Sequence, residues 1–224
     1  MSRTSVLTGS VPTGMALLII DMQRDFLDPQ GYIATSGVDV AGLRAIIPQV
    51  GDLLSAARER GILVIHTREG HRSDLSDLTA VKRRRAAGAG APIGSIGPLG
   101  RLLVRGEPGH AIIEELAPLD GEPVIDKPGF GAFYATDLEL LLRTAGVTSL
   151  TLAGVTTDIC VHSTLREAVD RGFDCVTVGD ACAAADPDIH AAMLACISGE
   201  GGILGRVAST QEMLAAWSGE TRPL

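Results

Sequence analysis

Three residues whose side chains complement one another as acid, cation and nucleophile stand at the ends of short apolar runs. Asp21 follows Leu17-Leu18-Ile19-Ile20, Lys127 follows Val124-Ile125-Asp126, and Cys160 follows Gly154-Val155-Thr156-Thr157-Asp158-Ile159. A thiol attacks a carbonyl as its thiolate, so it needs a base for its proton and a positive group to steady the charge. Singly, each residue has an ordinary explanation: aspartate caps turns, a strand-end lysine projects into solvent, and a lone cysteine packs inertly. Brought to one edge of a sheet, they compose a nucleophilic site.

The elements that must position them can be read from the hydrophobic pattern. Met15–Ile20 reads as a buried strand, residues 40–60 as a helix that Pro48 kinks or restarts and Gly61 stops, and residues 62–66 as a second buried strand. Periodicity then vanishes across residues 67–109, a stretch rich in Gly and Pro that carries the basic run Lys82-Arg83-Arg84-Arg85. A loop of that length in a compact domain serves as a lid, a binding loop or an oligomer contact. Alternation returns with a short helix at 110–116, strands at 123–127, 149–153 and 174–179, and a last strand near Val207. Helices are expected at 136–144, 158–171, with Asp158 as N-cap, 188–197, and up to Trp217. Six strands interleaved with helices predict one α/β domain spanning residues 1–224, a doubly wound parallel sheet with helices on both faces. In such sheets ligands bind outside the carboxyl ends of the strands, where Asp21, Lys127 and Cys160 all fall.

Composition agrees and excludes several functions. The chain has 224 residues, 46% of them hydrophobic but only 3% aromatic, so the core is aliphatic. A formal charge of −8 with dispersed Lys and Arg argues against nucleic acid as a partner. The longest clean apolar run is too short to cross a bilayer and the first residues lack a signal-peptide plan, which predicts a cytoplasmic protein with no membrane partner. Cys160, Cys175, Cys182 and Cys196 show no C-x-x-C or zinc-type spacing, so reduced thiols are expected.

Leu18-Ile19-Ile20-Asp21-Met22-Gln23-Arg24-Asp25-Phe26, Asp126-Lys127-Pro128 and Gly154-Val155-Thr156-Thr157-Asp158-Ile159-Cys160-Val161 resemble the three signature blocks of the isochorismatase-like cysteine hydrolases. Flanking segments, among them His66-Thr67-Arg68-Glu69-Gly70-His71-Arg72, Arg105-Gly106-Glu107-Pro108-Gly109 and Gly201-Gly202, are similar to the biuret and triuret hydrolase branch. The resemblance implies a three-layer α/β/α, Rossmann-like fold. It implies a cofactor-free amidohydrolase in which Cys160 attacks a small amide, Asp21 shuttles the proton and Lys127 orients Asp21. It further implies a cis peptide between Val155 and Thr156, with the N–H groups of Thr156 and Cys160 forming an oxyanion hole, and a homodimer or homotetramer.

That reading predicts cleavage of a C–N bond in a small linear ureide such as biuret or triuret, through a thioester on Cys160 and with release of ammonia. The alternative is a ureido or carbamoylated acid of the N-carbamoylsarcosine, ureidoacrylate or maleamate type, whose carboxylate would meet Arg68, Arg72 or the 82–85 run. Phe26, Arg68, Phe130, Phe133 and Glu200 are the candidate substrate-binding residues; Phe130 and Glu200 depart from the branch pattern. Glu69 and His71 make part of a nicotinamidase-like metal set but lack a third ligand, so no metal is expected. His66 is expected to bond to a backbone group. Two other classes stay open: a binding or regulatory module on the same fold, for which one of the three central residues should be missing, and a cysteine-based redox protein.

Overall fold

In the computed structural model, residues 14–219 are described; the leading segment, in which no signal peptide is expected, lies outside them. The strands are β1 (Met15–Ile20), β2 (Leu63–Glu69), β3 (Ile96–Gly97), β4 (Gly100–Arg101), β5 (Val124–Lys127), β6 (Ser149–Val155), β7 (Asp174–Ala183) and β8 (Arg206–Ala208). Six of them form a parallel sheet in the order β5-β2-β1-β6-β7-β8, while β3 and β4 pair as a small antiparallel ribbon. Helices α1 (Arg24–Leu27), α2 (Tyr32–Thr35), α3 (Ala41–Arg44) and α4 (Ile47–Glu59) lie between β1 and β2, and α5 (Ala80–Gly88) follows β2. Beyond β5 come α6 (Leu138–Thr144), α7 (His162–Asp170), α8 (Pro187–Ser198) and α9 (Thr210–Ser218). No described helix is long and apolar enough to cross a membrane.

β1 is an unbroken apolar run because both faces of a central parallel strand are covered. Leu17 and Ile19 pack on the side of α4 and α9 with Leu53, Leu54, Met213 and Trp217. Ala16, Leu18 and Ile20 pack on the side of α6 and α7 with Leu138, Leu142 and Leu165. These β1 side chains are at most 1% exposed, and each Leu or Ile contributes about 1.5–3 kcal/mol by burial. Truncating Leu17 to Ala would cost about 2–5 kcal/mol, since a closed sandwich cannot refill the space.

Chain direction across the sheet reverses at β1 and β6: β2 and β5 extend it on one side, β7 and β8 on the other. This switch point opens a crevice at the carboxyl ends of β1 and β6. There the two strands approach so closely that a Cβ on Gly154, whose φ is 122°, would strike the Ile20 carbonyl.

The expected helix at 40–60 is two helices, with Pro48 in the first turn of α4, where its missing N–H is harmless. Residues 67–109 are not one long loop. β2 continues to Glu69, and Thr79 caps α5 by accepting from the Lys82 N–H (3.2 Å), so the basic run is helical. α5 shows no apolar period because it rests on the surface, with Ala86 its one buried residue.

Candidate active site

Four neighbouring strand ends supply the site. Asp21 ends β1 in a left-handed conformation (φ 51°), which aspartate tolerates better than most residues. Its Oδ1 accepts from the Thr67 hydroxyl of β2 (2.6 Å), and its Oδ2 meets the Lys127 ammonium of β5 at 2.7 Å, outside hydrogen-bonding alignment. Lys127 also donates to the carbonyls of Gly129 (3.1 Å) and Phe130 (2.9 Å). Both Asp21 and Lys127 are wholly buried. Burial alone would discharge the lysine, but Asp21, Cys160 and Glu69 together outweigh it and hold the ammonium firmly protonated.

Glu69 completes the cluster. It lies opposite Lys127 in the β2–β5 register, and its Oε2 accepts from the Cys160 thiol at 3.4 Å. Its Oε1 takes the Lys82 ammonium of α5 at 2.5 Å, and Lys82 also donates to the Pro128 carbonyl (2.7 Å). Gln23 fixes the Glu69 backbone from both sides, accepting its N–H (2.6 Å) and donating to its carbonyl (3.0 Å). The sequence pattern points to Glu69 only as part of a metal set. The signal for its true place was alternation: if β2 runs on past His66, Thr67 and Glu69 share a face.

Burial pushes the Cys160 thiol well above its ordinary range; Lys127 opposes this, while Asp21 and Glu69 reinforce it. Asp21 is raised, chiefly by burial, against the pull of Lys127. Glu69 is lowered: burial opposes ionisation, but Lys127 and Lys82 together overcome it. The resting site therefore holds a protonated thiol, two carboxyl groups and two ammoniums. Asp21, Glu69 and Cys160 form the one metal-type donor cluster among the described residues, and two lysines already supply the charge a cation would bring. His71 does not join Glu69; its Nδ1 lies 3.1 Å from Asp77. His66 finds a carboxylate, Glu122, at 3.1 Å instead of a backbone group.

Past β6 the Val155–Thr156 peptide is cis. The chain then makes a π-type turn over Thr157–Val161, closed by the Val161 N–H on the Thr156 carbonyl (3.1 Å), before α7 begins. The helix expected from residue 158 thus starts later, and Asp158 is no N-cap: its side chain makes no capping bond. Wide turns of this kind recur at functional sites. Thr157 Oγ1 lies 2.8 Å from His190 Nδ1, which ties the turn to α8.

Cys160, Glu69 and Thr156 line a cavity of about 750 Å³ whose walls include Phe26, Tyr32, Phe130 and Tyr134, with Val81, Lys82 and Arg85 of α5 above. Phe26 and Phe130 are thus at the site, but three other candidates are not. Arg68 alternates with Thr67 and Glu69, so it faces away and forks onto Asp126 (2.7 and 3.1 Å). Phe133 is core, its ring 5.8 Å from Phe173 and covered by Arg171. Glu200 sits in the connection from α8 to β8, which a parallel sheet places at the amino ends of the strands, opposite the cavity. All four cysteines are free; burial pushes Cys175 and Cys182 to about 12, and Cys196 is exposed.

Comparison with known proteins places the chain among related hydrolases. Residues 15–212 match the isochorismatase domain family. The chain is 32% identical to a ureidoacrylate amidohydrolase RutB of Methylobacterium radiotolerans over 220 residues, covering 91% of this chain and 80% of that one. A cysteine hydrolase structure from Pseudomonas syringae pv. phaseolicola superposes with a TM-score of 0.80 at 27% identity, covering 99% of this chain and all of that one. An isochorismatase family structure from Desulfovibrio vulgaris gives 0.74 at 31% identity, over 90% of this chain and 96% of that one. Relatives from Azorhizobium caulinodans and Pantoea ananatis, 29% and 31% identical, are likewise ureidoacrylate amidohydrolases, whereas the flanking segments suggested the biuret and triuret branch. With the family model covering nearly all of its sheet and helices, this chain is a member of the isochorismatase-like hydrolase family.

Proposed function

We propose that the protein is a cysteine amidohydrolase that cleaves the carbamoyl C–N bond of a small ureido acid. The observation that carries this is the Cys160 thiol, bonded to Glu69 and close to Asp21 and Lys127, in a cavity whose α5 side holds Lys82 and Arg85. Those two cations suit a substrate with a carboxylate better than neutral biuret or triuret. The matched ureidoacrylate amidohydrolases support the same choice.

Asp21 is the better proton acceptor of the two carboxylates, because burial raises it whereas two lysines hold Glu69 low. As the substrate carbonyl reaches Sγ, the thiol proton passes to Asp21, the S–C bond forms, and charge moves to the carbonyl oxygen. The N–H groups of Thr156 and Cys160 receive that oxyanion, each donor contributing a factor of about 10²–10³. Collapse breaks the C–N bond; the leaving amine takes the proton from Asp21, and the carbamoyl group stays on sulfur. Water then gives a proton to Asp21 and adds to the carbamoyl carbon; the C–S bond breaks, the proton returns to sulfur, and carbamate leaves and decomposes to carbon dioxide and ammonia. Lys127 holds Asp21 in place and balances its charge. Glu69, ionised and acceptor-only, holds the thiol at rest and can receive substrate N–H groups.

Ammonia release should be measured from ureidoacrylate, N-carbamoylsarcosine, maleamate and biuret. Turnover of a ureido acid that exceeds that of biuret, and that Cys160→Ala abolishes, is the expected result. Preference for biuret would overturn the substrate class, and activity surviving in Cys160→Ala would overturn the mechanism.

A further inference from the structure

We infer that Arg85 is the residue that selects a substrate carboxylate, and that Lys82, one helical turn earlier, latches α5 to the floor of the site. The inference rests on the ureido-acid reading above and assigns its specificity to one side chain. Of the other candidate cations, Arg72, Arg83 and Arg84 do not line the cavity, and the rest are already engaged. Lys127 is bonded to Gly129 and Phe130 and paired with Asp21. Arg68 is committed to Asp126, and Arg105 to the Gly70 carbonyl and Asp77. Lys82 is held by Glu69 and Pro128 and lies over the Phe130 ring, 4.9 Å from its centroid. Arg85 also lines the cavity, yet among the described residues no carboxylate lies within salt-bridge distance of it.

The spacing fits a short acid. Residues three apart on a helix share a face, with Cβ atoms roughly 5–6 Å apart. The Lys82 ammonium is pinned beside Glu69, which holds the Cys160 thiol. Arg85 follows Lys82 by three residues on α5 and lines the same cavity. A carbamoyl group at Cys160 with a carboxylate a few bonds away would span that interval. A guanidinium grips a carboxylate through two parallel N–H bonds, which a lysine cannot do.

The test is binding, so that it does not depend on turnover. Affinities of 3-ureidopropionate and of its neutral amide, 3-ureidopropionamide, are measured by calorimetry on Cys160→Ser and on Cys160→Ser carrying Arg85→Met or Arg85→Lys. The acid should bind Cys160→Ser more tightly than the amide. Arg85→Met should weaken the acid by roughly 10- to 100-fold and the amide by less than about threefold, with Arg85→Lys in between. If the acid is preferred and the preference survives Arg85→Met, the assignment to Arg85 is wrong while the ureido-acid reading stands. If Cys160→Ser binds the amide as well as the acid, that reading fails and this inference with it. Arg85 is exposed, so these substitutions leave the core intact.

Discussion

Replacing Lys82 by methionine keeps an unbranched side chain over the Phe130 ring and removes the ammonium that pairs with Glu69 and donates to the Pro128 carbonyl. The Glu69 carboxyl is 3% exposed, and its remaining cation, Lys127, lies 3.8 Å away and is shared with Asp21. An uncompensated buried carboxylate can stay ionised, at a cost of about 3–5 kcal/mol, or take up a proton. The second route sets a ceiling. Protonating a carboxyl with an ordinary value of 4.5 at pH 7 costs 1.36 kcal/mol per unit over 2.5 units, about 3.4 kcal/mol. At pH 5.5 the same ceiling is about 1.4 kcal/mol. The sign follows from linkage: in the native protein Glu69 lies below its unfolded value, so its stabilisation is present above 4.5 and is lost as pH falls through the folded value. In Lys82→Met the folded value rises above the unfolded one, so the variant's deficit grows as pH rises from 4.5. Urea unfolding of both proteins at pH 5.5 and pH 7.0 should show a loss smaller at pH 5.5 than at pH 7 by up to about 2 kcal/mol, the difference between the two ceilings, on top of the wild-type Glu69 stabilisation that is lost equally at both. A loss equal at both values, or larger at pH 5.5, would refute the reasoning.

Cys160→Ser should lower the rate of ammonia release at least a thousandfold while leaving the circular dichroism spectrum unchanged. Glu122 accepts from Arg58 (2.8 Å at both oxygens), the Leu119 N–H and His66. Burial opposes its ionisation but those donors win and hold it at about 2. Its stabilisation is therefore full above 4.5 and fades as pH falls toward 2, so Glu122→Gln should cost about 2–3 kcal/mol in urea unfolding at pH 7 and less than half that at pH 3. His190→Ala frees the Thr157 hydroxyl and loosens the nucleophile turn; kcat should fall while KM for the neutral amide stays within about threefold, and His190→Gln should restore part of the loss. Gly154→Ala drives a methyl group into the Ile20 carbonyl and should lower the melting temperature by ten degrees or more, if the protein folds at all.

The parts legible in the sequence are those that burial dictates. β1 and β6 announce themselves as apolar runs because the sheet is covered on both faces, and their ends place Asp21 and the Cys160 turn without further information. Lys127 was legible for the same reason. The apolar pattern of β2 stops at His66 because Thr67, Arg68 and Glu69 are polar, yet they pair as a strand; two of them face a site that needs polar groups. α5 escaped detection because a surface helix latched by an ion pair needs no apolar stripe. Arg68 and Glu200 were misplaced for topological reasons: one faces away by strand alternation, and the other lies at the opposite end of the sheet. The π-type turn before α7 leaves no mark in the residue pattern, because it differs from a helix by the spacing of its backbone bonds.

The proposed mechanism requires Cys160 to bond to the carbamoyl carbon of a ureido acid. Mass spectrometry of the Cys160 peptide, after mixing the protein with ureidoacrylate and quenching in acid within the first turnovers, tests that bond directly. The predicted result is a gain of one carbamoyl group on Cys160 that disappears once substrate is consumed. Ammonia released at the full rate by protein whose Cys160 has first been alkylated with iodoacetamide would contradict it.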